Sequence, residues 1–259
     1  NTTHSNKKYL PEYKLSEKVK ATNALKEISL ADTVIFCVPS DSFREIVQSA
    51  SGHIKDSAHL ISATKGVEEN GFSLMSNVIE EVLGSQRSIG VLSGPNLAGE
   101  IALNQITGTV IASKDKHLQN QFIEDYSSDS FRVYISDDPY GVEMGGALKN
   151  IYAIACGIAD GLNSGENTIG MIMTRGLAEM SRLAIVMGAN PQTFLGLSGV
   201  GDLITTCASP MSRNHKMGKY LGQGLTVNQA KIRIGQTTEG LKTLKVVWKK
   251  ARTAGVEMP

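Results

Sequence analysis

Short continuous apolar runs in the first half of the chain alternate with stretches whose apolar residues recur at helical spacing. A continuous apolar run is typical of a strand buried on both faces of a parallel sheet, and helical spacing of an amphipathic helix. The runs predict five strands: Thr33–Val38, His59–Ala63, Ser88–Leu92, Thr109–Ala112 and Arg132–Ile135. The periodic stretches predict three helices between them: Asp41–Ser51, Phe72–Leu83 and Lys116–Asp125. This alternation predicts a doubly wound α/β sheet.

The pattern changes at Asp137-Asp138-Pro139, after which helical spacing dominates. The clearest helices are predicted over Val142–Leu162, Met171–Met187 and Gly240–Thr253. The first of these carries many small residues, so we expect it to pack tightly against the second. The sequence therefore predicts an α/β domain over residues 1–137 and an all-α domain over residues 138–259.

Composition excludes several classes of protein. Of the 259 residues, 41% are hydrophobic and 20% are charged, which is ordinary for a soluble globular chain. The formal net charge of +1 gives no reason to expect nucleic acid as a partner. No apolar run approaches the roughly 18–20 residues that span a bilayer. The three cysteines lack CxxC spacing and predict reduced thiols in the cytoplasm, and the five histidines lack metal-binding spacing.

Two of the predicted strands end in residues suited to ligand binding. Lys65 follows the second strand, and Ser93-Gly94-Pro95-Asn96 follows the third. Ligands of open parallel sheets bind beyond the carboxyl ends of the strands. A helix predicted to begin near Asn96 adds backbone N–H groups and a positive dipole end for an anion. The alternative is a solvated lysine and an ordinary turn.

Lys149-Asn150 lies inside the apolar, small-residue helix. Burying an ammonium group costs several kcal/mol unless the group is paired or its pKa falls. A lowered pKa is what a lysine needs to act as a general base near neutral pH. The alternative is a lysine whose head reaches solvent between helices.

A third cluster of polar residues lies within Leu197–Asn214. Arg213, flanked by Ser212 and Asn214, has the donors to hold a phosphate. Asp202 is placed to orient a lysine or a substrate hydroxyl. Helix N-caps at Asp202 and Ser212 are the alternative.

Glu239 opens the last predicted helix. It is interpreted either as a first-turn acid favoured by the helix dipole or as a ligand for a sugar hydroxyl. The chain contains no GxGxxG, GxSxG or P-loop motif.

Five motifs, in this order and at this spacing, resemble the bacterial type of NAD(P)-dependent glycerol-3-phosphate dehydrogenase. They are Thr64-Lys65-Gly66, Ser93-Gly94-Pro95, Leu148-Lys149-Asn150, Gly201-Asp202-Leu203 and Ser212-Arg213-Asn214. Glu239-Gly240 and residues 255–259 extend the resemblance over essentially the whole chain.

The resemblance implies a Rossmann-like domain and a helical domain that interconvert sn-glycerol 3-phosphate and dihydroxyacetone phosphate with NAD or NADP, for glycerophospholipid synthesis. The oligomeric state stays open, because the small-residue helices allow pairing within one subunit or between two subunits of a homodimer. Lys149 is implied as the catalytic proton acceptor. The implied substrate-binding residues are Lys65, Gly94, Asn96, Lys149, Asn150, Asp202, Ser212, Arg213 and Asn214, although the family more often has Ser or Thr in place of Asn96. The implied cofactor-binding residues are Lys65, Ala98, Arg213, Thr237 and Glu239.

The resemblance further implies that the family's first βαβ unit and a C-terminal helix lie outside this chain. That unit carries the glycine fingerprint and the residue that chooses between NAD and NADP, so the cofactor preference stays open. Two alternatives remain at this point. One is another β-hydroxyacid-type dehydrogenase, which shares the Lys-Asn pair but lacks Ser-Arg-Asn at this distance. The other is a non-catalytic phosphometabolite-binding remnant.

Overall fold

The computed structural model describes residues 4–69 and 71–258, so Pro259 of the terminal motif lies outside the described residues. A small antiparallel hairpin, β1 (Ser5–Asn6) and β2 (Leu10–Lys14), comes first. The main sheet has five strands in sequential order. They are β3 (Thr33–Phe36), β4 (His59–Ser62), β5 (Ile89–Ser93), β6 (Thr107–Ser113) and β7 (Phe131–Ser136).

Helices cover both faces of this sheet. They are α1 (Ser40–Ala50), α2 (Met75–Leu83), α3 (Ala98–Ala102) and α4 (Lys116–Tyr126), with short 3₁₀ turns at Leu25–Leu30 and Ser51–His53. Successive strand residues face opposite sides. Leu60 accordingly packs in a core with α1 and α2, whereas its neighbour Ile61 packs with Leu118 and Phe122 of α4. This arrangement confirms the predicted doubly wound α/β architecture.

Two strands run against the other three. β3, β4 and β5 are mutually parallel, but β6 is antiparallel to β5, and β7 is parallel to β6. The parallel pairing that the apolar runs predicted therefore fails between β5 and β6. Between β5 and β6 the chain forms only the five-residue helix α3, too short to carry it back along the sheet, so the chain reverses there.

The second part of the molecule is helical throughout its described residues. It consists of α5 (Pro139–Gly161), α6 (Glu166–Val186), α7 (Asp202–Ala208), α8 (Arg213–Gly222), α9 (Val227–Ile234) and α10 (Gly240–Thr253). A 3₁₀ turn at Pro191–Leu195 and a π-helical turn at Leu197–Gly201 connect α6 to α7. Asp138 caps α5 by accepting the N–H of Gly141 at 2.9 Å, and Pro139 occupies the first helical position.

The small residues of α5 allow close packing against α8, whereas the sequence predicted close packing against α6. A Cβ at Gly157 would lie 2.1 Å from the carbonyl oxygen of His215, and a Cβ at Gly218 would lie 2.0 Å from that of Ile154. The backbones of α5 and α8 therefore touch. The predicted partner α6 does pack on α5, through Gly176 against the ring of Tyr152, but it is α8 that makes the closest backbone approach.

The predicted elements are all present, with the largest error at α6, which begins at Glu166 instead of Met171. The hairpin β1–β2 and the helices α8 and α9 had no clear sequence signal. Within residues 4–69 and 71–258, no helix combines the length and apolarity needed to cross a bilayer.

Candidate active site

The candidate site lies where the carboxyl ends of β4 and β5 meet α5 and α7. Lys65 follows β4, Gly94 follows β5, Lys149 lies in the middle of α5, and Asp202 is the first residue of α7. This is the edge of an open sheet at which ligands bind.

Lys149 is held inside the protein by two residues of α7. Its side chain is only 6% exposed. Its Nζ donates to Oδ1 of Asp202 and, at 2.7 Å, to Oγ1 of Thr206. Asp202 and Thr206 are four residues apart, so α7 presents both on one face. Lys149 is therefore buried and paired, which excludes a lysine reaching solvent between helices.

Lys65 binds the other oxygen of the same carboxylate. Its Nζ donates to Oδ2 of Asp202 at 2.7 Å and to the carbonyl oxygen of Gly94 at 2.8 Å. Asp202 thus serves two lysines from two parts of the chain. The N-cap alternative for Asp202 is wrong, because its side chain makes no capping hydrogen bond to α7.

The surroundings of Lys149 favour its neutral form. Burial lowers the pKa of Lys149 to about 7, and the positive charge of Lys65 acts in the same direction. The Asp202 carboxylate opposes both effects but does not cancel them. An amine with a pKa near 7 can accept a proton at neutral pH and return it, as a general acid–base group must.

A chain of amide groups connects the site to α10. Nδ2 of Asn214 donates to Oδ1 of Asn150 at 2.9 Å, and Oδ1 of Asn214 accepts the N–H of Gly240 at 3.1 Å. Nδ2 of Asn150 approaches the carbonyl oxygen of Lys65 at 3.5 Å. Both asparagines are buried, so these contacts fix their orientation.

Ser212 and Arg213 lie at the start of α8. Oγ of Ser212 accepts the N–H of His215 at 3.2 Å, which is the N-cap that the sequence suggested. Arg213 is exposed, and within the described residues no carboxylate forms a salt bridge with its guanidinium. A helix N-terminus beside an unpaired guanidinium suits an anion such as a phosphate group.

The other predicted site residues have hydrogen-bond partners elsewhere or are exposed. Nδ2 of Asn96 donates to the carbonyl oxygen of Gly108 at 3.2 Å, and its Oδ1 accepts from the hydroxyl of Thr109 at 2.9 Å. Both polar atoms of the Asn96 side chain are therefore hydrogen-bonded to strand β6. The helix predicted to begin near Asn96 begins at Ala98. The two predicted cofactor-binding residues Ala98 and Thr237 are both exposed. Glu239 precedes the first residue of α10, and its carboxylate accepts from the N–H and the hydroxyl of Ser40 in α1.

Two residues of the site, Thr206 and Ser93, had no role assigned from the sequence. Thr206 lies within the polar cluster over Leu197–Asn214, and its spacing from Asp202 was the available signal. Oγ of Ser93 is buried without a hydrogen-bond partner in the described ranges. A Cβ at Gly146 would lie 2.6 Å from this oxygen, so the end of β5 is in direct contact with α5.

The described residues fit the ribose part of a dinucleotide on the same edge. α1 begins just beyond β3, and the carboxylate of Glu239 lies at its start, where it accepts the N–H of Ser40. A carboxylate at the edge of a Rossmann-like sheet suits a ribose hydroxyl. In the same ranges, no group of three His, Cys, Asp or Glu side chains is arranged to hold a metal ion.

Comparison with known proteins gives one consistent result. Residues 138–259 match the family model described as NAD-dependent glycerol-3-phosphate dehydrogenase C-terminus, and residues 1–119 match the corresponding N-terminus model. A glycerol-3-phosphate dehydrogenase (NAD(P)+) of Teredinibacter turnerae is 49% identical over 255 residues, covering 98% of this chain and 75% of that protein. One of Acinetobacter baylyi is 50% identical over 260 residues, covering 100% and 72%.

A solved structure agrees. The crystal structure of glycerol-3-phosphate dehydrogenase from Coxiella burnetii superposes with a TM-score of 0.96 at 39% identity, covering 100% of this chain and 79% of that one. Together with the two family models, this places the chain in the NAD-dependent glycerol-3-phosphate dehydrogenase family.

Proposed function

We propose that this chain interconverts sn-glycerol 3-phosphate and dihydroxyacetone phosphate by hydride transfer with NAD or NADP, with Lys149 as the proton acceptor. Family membership supports the reaction over the two alternatives, another β-hydroxyacid-type dehydrogenase and a non-catalytic remnant. The observation that carries the residue assignment is the buried, paired ammonium of Lys149, whose pKa is lowered to about 7 at the ligand-binding edge of the sheet.

The proton step follows from the surroundings of Lys149. In the direction of oxidation, neutral Nζ accepts the proton of the C2 hydroxyl as the C2 hydrogen leaves with its electron pair. In the direction of reduction, the protonated Nζ donates to the forming alkoxide. Asp202 and Thr206 hold the amine in place during both steps. The nicotinamide, when bound, supplies or accepts the hydride.

The phosphate group of the substrate binds at a different position from its C2 hydroxyl. Arg213 and the N-terminus of α8 hold the phosphate, because an unpaired guanidinium and free helix N–H groups both favour a dianion. The remaining substrate-binding residues of the proposal are Lys65, Gly94, Asn96, Asn150, Asp202, Ser212 and Asn214. The cofactor-binding residues are Lys65, Ala98, Arg213, Thr237 and Glu239.

The wider setting is part of the same proposal. The two domains meet at residues 137/138, between the end of β7 and the start of α5. The enzyme works in the cytoplasm, in glycerophospholipid synthesis, which agrees with three cysteines that are unpaired in the structure. It forms a homodimer, which the exposed Met171 and Val186 of α6 support and which light scattering tests.

The function is tested by oxidation of NADH and of NADPH with dihydroxyacetone phosphate by the purified protein. We expect turnover with at least one cofactor, and a large loss of kcat/KM with unphosphorylated dihydroxyacetone because Arg213 then lacks its partner. Absence of turnover with both cofactors refutes the reaction. Equal kcat/KM for the two ketones refutes the phosphate site.

A further inference from the structure

Hydrogen bonds and an ion pair connect the start of α10 to the start of α1. The carboxylate of Glu239 accepts the backbone N–H of Ser40 at 3.4 Å and also the hydroxyl of Ser40. The ammonium of Lys242, one helical turn further along, pairs with the carboxylate of Asp41. Lys242, Asp41 and Ser40 lie outside the motifs from which the site was predicted.

Gly66, beside Lys65, makes this approach sterically feasible. A Cβ at Gly66 would lie 2.8 Å from Cβ of Ser40 and 3.1 Å from Oε2 of Glu239. The first separation is shorter than real Cβ atoms show, and the second is tighter than most Cβ contacts. The segment after β4, the start of α1 and the start of α10 therefore converge at one point on the ligand-binding edge.

The other side of α10 touches the substrate-binding asparagines. The N–H of Gly240 donates to Oδ1 of Asn214, and a Cβ at Gly240 would lie 2.6 Å from the carbonyl oxygen of Asn150. The first turn of α10 thus stands between the helix that begins at the cofactor edge and the residues next to Lys149. A shift of this turn would move both sides of the site.

Two carboxylates meet at the N-terminus of α1: Glu239 accepts from Ser40, and Asp41 pairs with Lys242. The helix dipole favours each anion separately, but the two also repel each other. We propose that Lys242 is a positioning residue of the dehydrogenase, which holds α1 and α10 together so that Glu239 stays at the cofactor edge. The catalytic meaning of this inference rests on the proposed function, whereas the contact itself does not.

The expected effect is moderate because the pair is partly exposed, with 38% of the Lys242 side chain and 58% of the Asp41 side chain accessible. Exposed ion pairs change equilibria by roughly 1.4- to 5-fold. We expect Lys242→Met, which keeps the aliphatic stem, to raise the KM for the reduced cofactor by about 3-fold and to leave kcat within about 2-fold. Lys242→Arg should restore the wild-type KM.

The matched control is Lys245→Met, because Lys245 is an exposed lysine of the same helix with no ion pair in the described part of the chain. Its KM should equal that of the wild type. Asp41→Asn breaks the same contact but also removes the repulsion between the two carboxylates, so its KM should rise no more than that of Lys242→Met. The double variant should match Asp41→Asn, because the ion pair is already absent there. Salt should raise the wild-type KM towards that of the variants.

Hydrogen exchange gives a readout that does not depend on turnover. In the ligand-free protein, amides at the start of α1 should exchange faster in Lys242→Met and Asp41→Asn than in the wild type and Lys245→Met. Equal exchange in all four proteins overturns the proposal, as does an equal KM change in Lys242→Met and Lys245→Met. If Lys242→Met does not fold, Asp41→Asn tests the same pair. Faster exchange in a protein that turns over neither cofactor refutes the function and leaves the contact standing.

Discussion

Two buried charged groups on α5 show how one physical cause produces two different roles. Glu143 and Lys149 lie six residues apart on this helix, and both are buried. Burial raises the pKa of Glu143 to about 7 and lowers the pKa of Lys149 to about 7. The same cost of placing a charge away from water therefore acts in opposite directions on an acid and a base.

The difference between them lies in their partners. The carboxylate of Glu143 accepts the N–H of Ser76 at 3.0 Å and the hydroxyl of Ser76, and it has no cationic partner in the described ranges. It thus joins α5 to the start of α2. Lys149 shares the carboxylate of Asp202 with Lys65 at the ligand-binding edge. A shifted pKa indicates catalysis only where a reacting ligand can reach the group.

The largest expected effect is on Lys149. Lys149→Ala should lower kcat roughly 10²- to 10⁴-fold, because a positioned general base contributes that much, while the KM for the cofactor changes little. In the wild type, oxidation of glycerol 3-phosphate should rise as pH increases through about 7, where Lys149 loses its proton. Reduction should fall over the same range.

Steady-state kinetics in both directions across pH checks this prediction. The control is Lys245→Ala, which removes an exposed lysine of α10 far from the acid–base chemistry. Near-wild-type turnover in Lys149→Ala would contradict the assignment of the base.

A smaller effect on the rate is expected from substitution of Lys65. This substitution removes the charge beside Lys149 and leaves Lys149 itself in place. Lys65→Met should lower kcat/KM roughly 10- to 100-fold through the lost charged hydrogen bonds. Because the charge of Lys65 lowers the pKa of Lys149, its removal should move the rise of the oxidation rate to higher pH. A pH profile of the residual activity measures this shift, and a profile unchanged or moved to lower pH would contradict the coupling.

The smallest effect on turnover is expected at Glu143. Between pH 4.5 and about 7 the unfolded chain loses the proton that folded Glu143 keeps, so Glu143 destabilises the folded state progressively as pH rises through this window. Glu143→Gln should remove this loss, worth up to about 3 kcal/mol in the free energy of unfolding. Its kcat should stay near the wild-type value.

Denaturant unfolding of the wild type and Glu143→Gln at the two ends of that pH range measures the difference. The exposed Glu80 of α2 supplies the control variant, Glu80→Gln, which should leave the pH dependence unchanged. A wild-type protein whose stability relative to Glu143→Gln does not fall over this range would contradict the raised pKa of Glu143, on which its comparison with Lys149 depends.

The amino-acid sequence alone predicted the strands and helices, because apolar periodicity reports locally which face of an element is buried. It also indicated a buried Lys149, with a lysine head reaching solvent as the alternative, since the residues around it in α5 are small and apolar. The elements and the surroundings of Lys149 depend on neighbours within one or two helical turns. The order of the motifs along the whole chain indicated the family.

Only the tertiary structure decided which groups meet. Lys65 and Asp202 are 137 residues apart and Lys149 and Asp202 are 53 apart, so no local pattern could reveal that one carboxylate serves both lysines. The same holds for the reversed direction of β6, the occupied amide of Asn96 and the contact between Glu239 and Ser40. Pairing across such separations is set by how the domains pack, and that packing places the proton acceptor beside a second charge.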